Sequence, residues 1–131
     1  MPKLTAAARR AGLDIPVNGA RLTGDEIDRA LTLTRDPEPR VRQAALAYTC
    51  PCHVQADRPE VWERVFELAA DADRDVRRQV LHTLGDGSPQ RLEERVIATL
   101  ESMRQDADSR LRRRVRRLLA NHRRTGRVNV L

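Results

Sequence analysis

With 131 residues, 40% of them hydrophobic and 34% charged, the chain has the size and balance of a single globular domain. Aromatics make up only 2%, and the apolar stock is mainly Ala, Leu and Val, which argues against a β-sandwich or barrel and for closely packed helices. The net charge of +6 comes from 25 basic residues, of which only Lys3 is not arginine, and it admits anionic partners. No apolar run reaches the roughly 20 residues of a membrane span and no signal-like segment opens the chain, so the expected compartment is the cytoplasm.

In chain order, "KLTAAARRAG" predicts a short helix from Lys3 to Ala11 with Gly12 as its stop. "DIPVNG", Asp14 to Gly19, reads as loop. Three helical pairs follow. Each first helix places apolar residues at helical spacing, as in Trp62, Val65, Phe66 and Ala69 of the middle pair. "TGDE" (Thr23–Glu26) and "DRPE" (Asp57–Glu60) have the form of a capping box, and Pro89 in "SPQ" fits a first-turn proline. The second helices carry Val41, Ala45, Tyr48 and Thr49, then Val76, Val80, Thr83 and Leu84, then Leu111, Val115, Leu118 and Leu119. Gly85 is expected to close the middle one as a left-handed C′ residue.

The pairs are copies of one unit. "RDPEPRVRQAALAYT", "ADADRDVRRQVLHTL" and "QDADSRLRRRVRRLL" align without a gap at a spacing of 35 residues. Asp36, Asp71 and Asp106 share one position; Arg42, Arg77 and Arg112 share another; Ile27, Trp62 and Ile97 share a third. The units are 24–58, 59–93 and 94–128, preceded by an N-terminal cap at 1–23 and ending in a basic tail at 123–131.

This threefold Asp-x4-Val-Arg pattern resembles the signature of HEAT repeats and covers about three-quarters of the chain. The resemblance implies an all-α, right-handed α-α superhelix, a solenoid of three HEAT-like hairpins with a short N-terminal capping helix. It also implies a structural ladder between units built from Asp36, Asp71 and Asp106 with Arg42, Arg77 and Arg112. Its second helices are those that line the ligand-facing, concave surface in this family.

The third unit substitutes Glu101 where the others have Leu31 and Phe66, and Arg116 where they have Leu46 and Leu81. Polar residues at stacking positions mark a terminal cap, so the array is expected to be complete. The outward stripe of the second helices, taken at 100° per residue, comprises Arg40, Gln43, Ala44 and Ala47, then Asp75, Arg78, Gln79 and His82, then Arg110, Arg113, Arg114 and Arg117. No acidic residue follows Asp108, whereas nine arginines do; residues 1–108 carry a net −3.

The expected function is therefore non-enzymatic: a binding module or adaptor that docks a partner protein, through an acidic segment, on Arg78, His82, Arg110, Arg113, Arg114 and Arg117. The same arginines could instead hold nucleic-acid phosphates without base readout, since that face has no aromatic for stacking. The tail from Arg123 to Leu131 is a frayed terminus by default, with a partner-binding arm as the alternative.

"TCPCHVQ", Thr49 to Gln55, offers a third reading. Cys50, Cys52 and His53, with His82 one unit along, could ligate zinc and make a metal- or redox-responsive adaptor. Adjacent residues seldom all face one ion, His122 lies two units away, and the segment otherwise reads as a thiol-lined turn stopped by Pro51. No cofactor is expected besides that possible zinc. No phosphate loop, HExxH or nucleophile constellation is present, so no enzyme is expected. The oligomeric state is left open.

Overall fold

The computed structural model describes residues 2–13, 22–50 and 58–128. All regular structure among them is helical: α1 (Pro2–Arg10), α2 (Gly24–Leu33), α3 (Pro39–Tyr48), α4 (Pro59–Leu68), α5 (Arg74–Asp86), α6 (Glu93–Ser102) and α7 (Ser109–Thr125), with a 3-10 turn at Gln90–Leu92 before α6. Helices α2 and α3, α4 and α5, and α6 and α7 pack as hairpins. The second helices also pack on one another, α3 on α5 and α5 on α7. Helix α1 lies on α3, in the row of second helices, at the place a preceding unit would fill. The result is an α-helical repeat solenoid.

The core follows the repeated apolar positions. Val41 and Ala45, Val76, Val80 and Leu84, and Leu111, Val115, Leu118 and Leu119 are buried from the second helices. Ile27 and Ala30, Trp62, Val65 and Leu68, and Val96, Leu100 and Met103 meet them from the first. Trp62 is a packing residue, and Phe66 is half-buried with the Arg95 guanidinium 4.4 Å from its ring centroid. At the stacking positions Leu46 and Leu81 are buried and Arg116 is exposed.

Helix ends depart from expectation at three places. Thr23 and Glu26 form the reciprocal capping box of α2. At α4, however, the N-cap is Arg58, whose guanidinium holds Glu60; Asp57 of the expected box lies outside the described residues. Pro89 precedes the 3-10 turn rather than starting the helix, and α6 begins only at Glu93. Gly85 does not end α5. It is helical, and a Cβ there would lie 3.3 Å from Leu118 Cδ2, so it serves the close crossing of α5 and α7. Left-handed glycines instead follow α1 at Gly12, with φ 78°, and α7 at Gly126, with φ 74°, after which Val128 returns to the core and donates its N–H to Glu93.

Candidate functional site

The joint inside each hairpin organises everything near it. Asp71 Oδ1 accepts the N–H of Asp73, and Asp73 Oδ1 in turn accepts the N–H groups of Asp75 and Val76 at the start of α5. Asp106 and Asp108 repeat this arrangement at α7. Such Asp-x-Asp turns satisfy the orphan amides of a helix start. In the first unit Asp36 accepts from Glu38, but Glu38 is too long to cap α3, and Pro39 at its first turn removes one donor instead.

One arginine per unit closes the joint. Arg42 Nη1 donates to the carbonyls of Asp36 and Pro37, while Nε and Nη2 take both carboxylate oxygens of Asp71 at 3.0 Å each. Arg77 does the same with the Asp71 and Ala72 carbonyls and with Asp106, at 2.7 and 3.0 Å. Each fork thus pins its own joint and reaches the next. Burial alone would raise the Asp71 carboxyl, but Arg42's hydrogen bonds, the Asp73 N–H and the Arg42 and Arg64 charges hold it below the usual carboxylate range. Arg77's hydrogen bonds hold Asp106 down likewise, against opposing burial.

A second set of ion pairs links the first helices, and sequence reasoning missed it. Arg58 pairs with Asp28, and Arg95 makes a two-pronged contact with Glu63. Arg64 reaches the C-terminal turn of α2 through Thr34 Oγ1 and the Thr34 carbonyl. The signal was available: Asp28 and Glu63 share a repeat position, and each pairs with an arginine at the start of the next first helix, Arg58 at the N-cap of α4 and Arg95 in the first turn of α6.

The arginine stripe resolves into a groove between α5 and the N-terminal half of α7, with a volume of about 650 Å³. Arg78, Arg110, Arg113, Arg114 and Arg117 all line it. Arg74 joins them at the rim, tied to Asp108 at 3.6 Å, and Arg78 is tied to Asp75 at 3.0 Å. Arg110, Arg113, Arg114 and Arg117 are exposed and, among the described residues, make no side-chain hydrogen bond or ion pair. Four unmatched guanidiniums within two helical turns repel one another and favour an anionic occupant.

The rest of the expected stripe needs correction. Gln43 and Gln79 are only 6% and 7% exposed, and Ala44 is fully buried. The second helices pack on one another along the row, and these three residues are buried within it. At the matching positions of α7, Arg113 and Arg114 are exposed along the groove beside α5, so the exposed basic face of the row concentrates on α7. His82 is exposed on α5 but does not line the groove.

Cys50 is buried at the end of α3, and its Sγ donates to Asp86 Oδ2 at 3.1 Å, linking two units. Cys52 and His53 lie outside the described residues, among which no trio of His, Cys, Asp or Glu is placed to hold a metal. His122 stands 3.8 Å from Glu93. Among the described residues, no helix is long and apolar enough to cross a membrane.

A family model described as HEAT repeats matches residues 27–120. No curated protein and no solved structure matches the chain.

Proposed function

We propose, on the premise that this chain belongs to the HEAT-repeat family across residues 27–120, that it is an adaptor whose α5–α7 groove docks an acidic segment of a partner protein. HEAT repeats are generally protein–protein interaction or scaffold modules and typically not enzymes. The observation that carries the finer reading is the set of four arginines on α7 without acidic partners among the described residues, facing a groove rather than scattered over the surface.

Carboxylates suit that groove for a physical reason. Guanidinium forks match planar carboxylates in pairs, and a segment with several acids would discharge the mutual repulsion of Arg110, Arg113, Arg114 and Arg117 at once. Asp75 and Asp108 sit in the same groove, so binding there requires an anion placed between them rather than a uniform polyanion laid across. That patterning favours a protein segment over a phosphate backbone, which would bring regularly spaced charge onto both acids. Arg78 orients the α5 side, and His82, exposed one turn further along α5, is left outside the groove lining.

The test is capture of partners from a nuclease-treated lysate with wild-type protein and with Arg113→Glu. A discrete protein retained by the first and lost by the second is expected. Loss of all capture on nuclease treatment would instead place nucleic acid on the groove.

A further inference from the structure

Helix α7 carries arginines on two flanks. Arg112 and Arg116 lie on roughly the opposite side from the groove, on the face that ends the stack. What Arg112 is built to hold follows from its equivalents. Arg42 and Arg77 each have Nη1 fixed by two joint carbonyls, which sets the guanidinium plane and aims Nε and Nη2 at the next unit's aspartate.

Arg112 is fixed in the same way, its Nη1 donating to the carbonyls of Asp106 and Ala107 at 2.6 and 3.2 Å. Its Nε and Nη2 have no acceptor among the described residues. A cleft of about 410 Å³ opens beside it, lined by Arg104, Gln105, Arg112 and Arg116. Arg104 replaces Ala69 of the preceding unit and Arg116 replaces Leu81, so the positions that would pack on a further hairpin have become cationic. Arg104 is tied to Glu101 at 3.1 Å, whereas Arg116 makes no ion pair among the described residues.

We propose that this terminal cleft is a second docking site, taking an aspartate of a partner protein presented in an Asp-x-Asp turn at the start of a helix. Both complete forks in this chain take that chemistry. In each, one carboxylate receives two guanidinium N–H groups while its Oδ1 also accepts the amide two residues on. Arg112 offers the same pre-set donor edge, so little ordering remains to be done on binding. The site is independent of the α5–α7 groove and of what occupies it.

The probe is a blocked peptide with the sequence Asp71–Asp75, the turn that Arg42 holds. Arginine Nε–H resonances of the intact protein are followed by NMR as the peptide is added, with Arg112 assigned through its loss in Arg112→Lys. The Arg112 resonance should shift saturably while those of Arg42 and Arg77, already engaged, stay in place. With the peptide labelled, Arg112→Lys should weaken binding by about tenfold or more, the factor expected for losing a charge-assisted hydrogen bond. An Arg112 resonance unmoved while groove arginines shift would overturn the proposal. So would inorganic phosphate at equal charge moving Arg112 as far as the peptide does. With the Arg112 Nε–H also assigned by through-bond correlation to its backbone, the wild-type titration decides the matter even if Arg112→Lys folds poorly.

Discussion

Asp36, Asp71 and Asp106 occupy one repeat position but hold unequal shares of the structure. Asp106 receives the Arg77 fork and the Asp108 amide, with its side chain 6% exposed, whereas the Asp36 carboxylate accepts only the Glu38 N–H among the described residues. Truncating Asp106 strands the Arg77 fork in a half-buried site, so Asp106→Ala should cost about 3 kcal/mol. Asp36→Ala removes a single bond to a neutral amide and should cost about 1 kcal/mol. Urea denaturation of the two variants checks the contrast, and equal losses would contradict the roles given to the forks. The same pairs set a pH dependence. Folded Asp71 and Asp106 titrate below the ordinary carboxylate range, so their contribution is fully present above about pH 4 and is lost as pH falls through the depressed folded values. Denaturation midpoints should therefore fall from pH 5 toward pH 2.5, less steeply in Asp106→Asn; an unchanged slope in that variant would remove Asp106 from the cause.

At the scale of helices, α5 and α7 depend on joint caps that α3 lacks. Asp108 Oδ1 accepts two amides of α7, and Asp108→Ala should cost about 1 kcal/mol. Glu38→Ala, at the matching position of α3, should change stability by less than about 0.5 kcal/mol because no cap bond is lost. Thermal melts of the pair test this, and a larger loss from Glu38→Ala would contradict it. Gly85 makes the opposite point. Its missing side chain lets Leu118 approach, so Gly85→Leu should cost about 2 kcal/mol by overpacking. Gly85→Ala should stay within about 1 kcal/mol, the gain in helix propensity offsetting a contact that Leu118 must yield to. A Gly85→Leu protein as stable as wild type would mean the crossing is looser than described. Gly85 was misread from sequence because a glycine at the end of an apolar pattern looks like a C′ stop. The contact that decides its role comes from Leu118, in another unit.

For the whole molecule, the repeat register was legible because every unit repeats the same local problem: a joint to cap, a face to bury, an acid to hand to the next arginine. That register places the aspartates and arginines, the HEAT resemblance implies that they pair between units, and Asp71 stands with Arg42 and Asp106 with Arg77; the change at Arg116 is read from the register itself. The buried Gln43, Ala44 and Gln79 did not follow from it. Helical periodicity locates the face turned to a helix's own partner, but the stacking of second helices buries a further flank that one helix's pattern does not mark. The exposed basic surface gathers on α7, with Arg74 and Arg78 of α5 across the groove. The most direct measurement compares a labelled acidic decapeptide with a labelled single-stranded oligonucleotide of equal charge, by anisotropy, at about 50 and 200 mM salt. The expected result is tighter binding of the peptide at both concentrations, lost in Arg113→Glu and retained in Arg112→Lys. Preference for the oligonucleotide, or peptide binding indifferent to Arg113→Glu, would contradict the groove as a protein-docking site.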